Sequence, residues 1–293
     1  MELDYVKLKE IKPALAGYIR EAQILFKRSP VPDEEVIHDV RVLMKKGRAV
    51  LKLTANQLDR ESFSRDLSAL REIGRIMGSW RDTSVYRKTL KELKKESPAV
   101  FSRIKENEKI LAMLKKPDPV RELSEDVKTR LEQIAIILNK AGYRIRFQSM
   151  DKFDPQLLIK ELELSYLRVV DTYLTCRNSL KSNDLHEFRK KAKDFLYQLY
   201  FFRPLNPRVV KDLEKKLEGM AQNLGKYNDL TQLVKALDYK YPDNKNLPAM
   251  DELIIKIRET QDIYLAKVWP SAYKIFCPGQ KLVNVLGFKL LVI

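Results

Sequence analysis

A row of basic side chains begins at the first of the two histidines in the chain. His38, Arg41, Lys45, Arg48 and Lys52 follow one another at spacings of 3, 4, 3 and 4 residues. On an α-helix these positions fall within an arc of about 80° and form a ridge about 21 Å long. No acidic residue interrupts the ridge between His38 and Lys52, so the like charges repel one another at helical spacing. A separate arc, which we expect to face the core, consists of Ile37, Val40, Leu43, Met44, Gly47 and Leu51. A bound anion that neutralises the ridge is its best explanation.

A shorter version of the ridge begins at the second histidine. His186, Arg189 and Lys193 repeat the spacing, and Lys190 lies beside them. A leucine and a tyrosine replace the last two basic positions of the first ridge. The second ridge is therefore weaker, and we expect its outer end to be packed rather than exposed to a ligand.

The two ridges belong to a longer internal repeat. Residues 17–41 align without a gap with residues 165–189, at an offset of 148. The alignment matches Tyr18 with Tyr166, Arg20 with Arg168, His38 with His186, Arg41 with Arg189 and, just beyond, Lys45 with Lys193. With one residue of slippage, a Gly-x-aromatic-x-Asp pattern at 78–82 aligns with 225–229. We predict two helical halves, 1–148 and 149–293, packed about a pseudo-two-fold axis.

The residue types in both ridges suit phosphate. Arg donates two parallel hydrogen bonds to phosphate oxygens, Lys supplies a mobile point charge, and His can donate from either ring nitrogen. A row of such donors suits a repeating anionic chain better than one small molecule, because many modest contacts act together. We expect both ridges to face a shared basic hollow, with Arg20 and Arg168 extending its lining.

The composition favours a helical protein that attracts anions. The 293 residues include only 9 Gly and are rich in Leu, Lys and Glu, a mixture that favours helix. The 56 Lys and Arg exceed the 40 Asp and Glu, and the formal charge of +16 attracts nucleic acid, acidic lipid or a phosphate polymer. Cys176 and Cys277 indicate no disulfide framework, so we expect a cytoplasmic protein. The sequence has no apolar signal core or spanning segment, so we expect no membrane partner.

Helical periodicity, interrupted by proline breakers, predicts an all-α fold. The predicted helices lie near residues 6–28, 33–57, 61–79, 82–94, 97–115, 120–140, 155–181, 184–202, 207–224, 229–239 and 246–268. Residues 143–147 alternate apolar and basic side chains, which could indicate a short strand or an extended link between the halves. The apolar segment 282–293 is too short for a membrane anchor, and we expect a packed strand or helix end.

The sequence resembles the CHAD family, the conserved histidine α-helical domain. The pattern His-x-x-Arg-x-x-x-Lys at 38–45 and again at 186–193, with the motifs at 78–82 and 225–229, carries the resemblance over roughly residues 5–270. The resemblance implies two four-helix-bundle-like halves around a basic central cavity that binds inorganic polyphosphate without catalysis. Polyphosphate granules and polyphosphate-metabolising enzymes are further candidate partners, between which the sequence does not decide. Carried over by position, the lining consists of His38, Arg41, Lys45, Arg48, His186, Arg189 and Lys193, with Arg20 and Arg168 as weaker members.

The sequence is also compatible with three other functions. The charge also fits RNA or DNA binding, although the ridges lack interleaved aromatic residues and the sequence shows no recognition motif. The helices could serve as an accessory domain of a phosphate-substrate enzyme, but no phosphate-binding loop, paired carboxylates or nucleophile–histidine arrangement is visible, so we expect neither catalysis nor a cofactor. The two histidines could also meet across the pseudo-two-fold axis and hold a metal ion.

Overall fold

The fold is all-α, as predicted. The structure is a computed structural model that describes residues 5–28, 31–104, 110, 125–150, 152–237 and 248–288, without the side chains of 79, 81–83, 248 and 249. Every regular element in these ranges is helical. The helices are α1 (Leu8–Arg28), α2 (Glu34–Leu53), α3 (Arg60–Ile76), α4 (Gly78–Glu96), α5 (Pro98–Arg103), α6 (Glu125–Phe147), α7 (Pro155–Ser179), α8 (Ser182–Leu199, continued by a 3-10 turn at Tyr200–Phe202), α9 (Pro207–Leu237), α10 (Pro248–Phe276) and α11 (Leu282–Val285).

The helices form two groups of four that meet at α2 and α8. In the first group α1 packs on α2 and α6, and α3 packs on the same two helices. In the second group α8 packs on α7 and α9, and α10 packs on the same two helices. Helix α2 lies against α8, where the Gln198 side-chain amide donates a buried hydrogen bond of 3.1 Å to the Ala49 carbonyl oxygen. The two predicted basic helices are therefore in direct contact at the centre of the molecule.

Apolar packing crosses the boundary between the two groups. One continuous cluster of buried residues runs through α1, α2, α3, α6, α7, α8 and α9. A second cluster joins α4 and α5, which lie between α3 and α6 in the chain, to the end of α9 and the start of α10. Burial of apolar surface is the main favourable term in folding, so the two groups stabilise one another.

Residues 143–147 are the end of α6, and the predicted strand or extended link is wrong. Ile145 is fully buried on the helix face that packs against α1 and α3, whereas Tyr143 and Phe147 are exposed. The Arg144 Nε atom donates a 2.6 Å hydrogen bond to the buried Asp66 carboxylate on α3. Tertiary packing therefore fixes a helical period where the local alternation of residue types favoured a period of two.

Two helices are longer than predicted. Helix α9 runs unbroken through 225–228, so the predicted helices 207–224 and 229–239 are one element. Helix α10 continues through Pro270 to Phe276, beyond the predicted end at 268, because Val268, Ala272 and Ile275 are buried on its inner face. This burial outweighs the hydrogen bond that proline removes from a helix.

The described part of the C-terminal segment begins with a packed helical turn, one of the two forms expected for the segment. In α11 Leu282 is buried, as is Leu286 immediately after the helix. Residues 289–293 of the predicted segment 282–293 lie outside the described residues. Across the described ranges, no helix combines the length and the apolar character that crossing a membrane requires.

The ion pair between Asp66 and Arg144 gives a test of the first group. Replacing Arg144 by Ala leaves the Asp66 carboxylate, only 1% exposed, without its close partner. We expect unfolding to become easier by about 3 kcal/mol, the low end for a broken buried pair, because Arg144 is still 24% exposed. Denaturant titration measures the change. The exposed Lys140→Ala on the same helix is the control and should shift stability by less than about 0.5 kcal/mol; equal effects of the two variants would contradict this account.

Candidate functional site

The predicted first ridge lies on α2, at the contact between the two groups. Asp33 caps this helix, and its carboxylate accepts a 2.8 Å hydrogen bond from the Val36 N–H group. Gly47 permits close packing on α3, because a Cβ atom there would lie only 2.9 Å from Leu70 Cδ1. The core-facing side is buried as predicted, at Ile37, Val40, Leu43, Met44, Gly47 and Leu51. The other side carries four half-buried cations, namely Arg41, Lys45, Arg48 and Lys52.

The predicted second ridge lies on α8 and is also partly covered. His186, Arg189 and Lys193 are half-buried. Lys190 is exposed instead and pairs with Glu187 at 2.7 Å, one turn earlier on the same helix. His186, Arg189 and Lys193 are therefore partly shielded from solvent, whereas Lys190 is exposed to it.

The two ridge arginines make matching contacts with the helix that follows each ridge. Arg41 donates from Nη1 to the Gly74 carbonyl oxygen on α3, and Arg189 donates from Nε to the Ala221 carbonyl oxygen on α9 at 3.4 Å. The two acceptor positions correspond at the offset of 147 residues that aligns the glycine motifs. Gly225 makes room for the second contact, because a Cβ atom there would lie 3.4 Å from the Arg189 guanidinium. Each ridge arginine thus donates a hydrogen bond to a backbone carbonyl of the helix that packs beside its own.

His186 is oriented by a side chain on α9. Its Nδ1 atom lies 3.0 Å from Asn228 Oδ1, and this hydrogen bond fixes the orientation of the imidazole ring. Burial lowers the pKa of His186, the hydrogen bond to Asn228 opposes this, and the nearby Lys190 and Arg189 charges lower it further. His186 is therefore uncharged at neutral pH, and an anion beside it would raise its pKa.

His38 lies in a different setting from His186. It is exposed at the edge of a cavity of about 500 Å³ that lies between the start of α2 and helices α4, α9 and α10. This cavity is lined by six carboxylates and two lysines, namely Glu34, Glu35, Asp39, Glu92, Glu96, Asp229, Lys88 and Lys226. An excess of carboxylates repels a polyanion. His38 thus lines a cavity whose described lining contains more carboxylates than lysines, and Arg41 to Lys52 follow it along the same helix.

Arg48 lies at the centre of the first basic cluster. Its Nε atom is buried and has no hydrogen-bond partner within the described residues. Burial lowers the pKa of Arg48, Asp194 on α8 opposes the shift, and Arg71 on α3 lowers it further. Lys52 forms an ion pair with the same Asp194 carboxylate across the two groups. The Asp194 carboxylate thus interacts with two cations of α2, Arg48 and Lys52. A third cation, Arg71 on α3, is close enough to lower the pKa of Arg48.

Lys193, which corresponds to Lys45 in the repeat, is the partly buried cation on α8. Burial lowers its pKa, the charges of Arg189 and Lys46 lower it further, and Glu218 opposes them. Its ammonium nitrogen lies 5.0 Å from the centroid of the Tyr197 ring, which is a cation–π contact. Lys193 and Arg48 are thus two partly desolvated cations on helices that touch, each beside a further cation.

The two additional arginines of the repeat do not join these clusters. Arg20 is exposed and lines a groove between α1 and α6, to which no described residue of α2 or α8 contributes. Arg168 is exposed on α7. The matching tyrosines also differ, because Tyr166 is fully buried and donates to the Ile275 carbonyl oxygen at 2.8 Å, whereas Tyr18 is only half-buried beneath Lys46.

Several residues of the site were not predicted from the sequence. Lys46, Arg71, Asn228, Asp194 and Glu218 all act on the ridge cations or on His186. One signal was available, because Arg71 and Glu218 correspond at the same offset of 147 residues as the glycine motifs. The side chains of Arg81 and Asp82, in the first glycine motif, lie outside the described residues.

The described residues provide no cluster of ligands for the possible metal site between the two histidines. In the part of the chain that the structure describes, no group of three or more His, Cys, Asp or Glu side chains could hold a metal ion. His38 and His186 also have different neighbours, an acidic cavity for the first and Asn228 for the second.

Comparison with known proteins identifies the family. The family profile described as CHAD domain matches residues 20–238, which include both ridges and both glycine motifs. The crystal structure of the CHAD domain from the plant Ricinus communis has a similar fold, with a TM-score of 0.53 and 16% sequence identity over 94% of this chain and 91% of that chain. No curated protein sequence gave a significant match. Because the profile covers well over half of its length, this chain belongs to the CHAD-domain family.

Proposed function

We propose that the basic contact region between α2 and α8 binds inorganic polyphosphate. The observation that carries the proposal is the pair Arg48 and Lys193, two partly desolvated cations whose pKa values are lowered by burial and by neighbouring cations. A buried charge without a matching counter-charge is costly, and an anion bound between the helices would remove that cost. Family membership supports the same ligand, because the family resemblance that led to these residues implies polyphosphate binding.

A polymer fits this region better than a single phosphate. The cations from Arg41 to Lys52 extend along α2 for about 16 Å. On the adjoining helix α8, the charges of Arg189 and of Lys46 from α2 lower the pKa of Lys193. Each phosphate contact is modest in a partly hydrated site, but linked phosphates bind at high effective concentration once the first has bound. We therefore propose a binding module without turnover, whose partner is polyphosphate, free or in granules.

The proposed site predicts how affinity depends on the length of the polyphosphate and on the two central cations, Arg48 and Lys193. At constant phosphate-unit concentration, longer polyphosphates should bind more tightly in isothermal titration calorimetry. Arg48→Ala and Lys193→Ala should each weaken binding by about tenfold, since a charge-assisted hydrogen bond contributes about 1.5–3 kcal/mol. These positions are better probes than Arg41 and Arg189, whose loss would also release backbone carbonyls.

Lys190→Ala is the matched control on the same helix. Because Lys190 is exposed and paired with Glu187, its loss should change the affinity by less than about twofold. Affinity that does not rise with chain length, or equal losses in the Lys190 and Lys193 variants, would contradict the proposal. Displacement of polyphosphate by RNA at matched phosphate and salt concentration would favour the nucleic-acid alternative. Release of inorganic phosphate on incubation with a divalent metal would show an enzyme instead.

The proposed site also predicts how polyphosphate affinity depends on pH. The Lys193 pKa is below the ordinary lysine value of 10.5, and a bound polyanion would raise it by favouring the charged form. Affinity should therefore fall as pH rises from neutral toward 10.5, because free Lys193 loses its proton before an ordinary lysine does. Lys193→Arg should flatten this part of the profile, since Arg stays protonated. Parallel profiles for the wild type and Lys193→Arg would show that Lys193 is not at the ligand.

A further inference from the structure

A second basic surface lies on the first group of helices, away from the contact of α2 with α8. It is a groove of about 1320 Å³ between α1 and α6. Five cations line it, namely Lys7, Lys9, Lys12, Arg20 and Arg146. Among the lining residues that the structure describes, Glu10 is the one carboxylate, and it already bonds Lys7 at 2.8 Å and the Tyr200 hydroxyl. The groove therefore has an excess of positive charge.

The floor of this groove is apolar. Ile19 and Ile145 are buried beneath it, and Ala16 and Met150 also line it. A smaller cavity of about 280 Å³ adjoins the groove and shares two lining residues with it, Gln23 and Asn139, whose side chains are joined by a 2.8 Å hydrogen bond. The smaller cavity is lined by the apolar side chains of Phe26, Pro32, Leu131, Ala135 and Leu138. Together they form one elongated depression along α1 and α6.

A stripe of exposed apolar side chains runs along α6 beside this depression. Ile136, Tyr143 and Phe147 are 53%, 70% and 67% exposed, and their spacing places them within an arc of about 40°. The Tyr143 and Phe147 rings pack together with their centroids 4.8 Å apart. Exposed apolar residues are common singly, but a stripe beside a groove is typical of an interaction surface.

We propose that the surface formed by the α1–α6 groove and the α6 stripe docks an acidic amphipathic helix of a partner protein. Helices bind to grooves by laying an apolar face on an apolar floor, with anchors spaced three, four and seven residues apart. The five cations at the groove select a helix whose polar face carries Glu and Asp. Charge complementarity thus identifies the occupant, and an apolar floor beneath a basic rim matches its two faces.

Two other occupants fit this surface less well. A second copy of this chain carries a net charge of +16 and is repelled at long range. Single-stranded nucleic acid binds by stacking bases on open aromatic faces. Here Tyr143 packs against Phe147, and the Arg146 guanidinium lies 5.7 Å from the Phe147 ring centroid.

Fluorescence polarisation with a labelled synthetic peptide tests the proposal on the full chain. The probe is a helical peptide with Leu on one face and Glu on the other, compared with a scrambled peptide of the same composition. Tyr143→Ser with Phe147→Ser, and separately Arg20→Glu with Arg146→Glu, should each weaken peptide binding by about tenfold or more. Tyr273→Ser, 62% exposed on α10, and the exposed Lys215→Glu on α9 are the matched controls and should bind as the wild type does.

Each result decides for or against the docking surface. Polyphosphate affinity should be unchanged in the Tyr143→Ser and Phe147→Ser double variant, which separates this surface from the proposed polyphosphate site. No peptide binding up to about 1 mM, equal binding of the scrambled peptide, or equal losses in the control variants would overturn the proposal. So would an oligouridylate that binds through Tyr143 while the peptide does not, or a dimer in analytical ultracentrifugation that the same double variant dissociates.

Discussion

The contact between α2 and α8 places cationic side chains where water is scarce. Arg48 and Lys193 are drawn into it because each lies on a helix whose apolar face is committed to the core of its own group. Their pKa values fall as a result, and Asp194 and Glu218 compensate only in part. An enclosed positive field of this kind is strong at short range and poorly screened by salt. The stability of the fold therefore comes from apolar burial elsewhere, and under the proposed function this contact is where the anion binds.

Under the proposed function, the same two helices combine a structural role with a binding role. Arg41 and Arg189 each donate to a backbone carbonyl of the next helix, which fixes the direction of their guanidinium groups. Asn228 fixes the ring of His186 in a comparable way. Side chains whose geometry is set before binding lose less conformational entropy when a ligand arrives. The charges of the ridge are thus partly preorganised by the helices that support it.

Much of this arrangement could be predicted from the sequence, and the remainder depended on packing between distant segments. Helical spacing placed Arg41 to Lys52 on one face of α2 and the core residues on the other, as the structure confirms. Spacing could not show that α4 brings Glu92 and Glu96 to the cavity at His38. It also could not show that Ile145 packs into the core and extends α6, nor that Lys190 turns toward Glu187. The first two outcomes are set by contacts between helices, which local periodicity does not contain, and the Lys190 pair is a choice between solvent and a neighbour on the same helix.

The apolar cluster that joins α4 and α5 to α9 and α10 has a consequence for the integrity of the chain. Leu90 and Phe101 are almost fully buried, yet the side chains that surround them include Leu233 and Leu253 from the other group of helices. A polypeptide with only the first group would present these residues to water and would tend to associate with whatever surface could replace the missing helices. The two groups therefore depend on each other to keep this cluster buried. Separating them by truncation would expose the cluster and yield an aggregation-prone fragment.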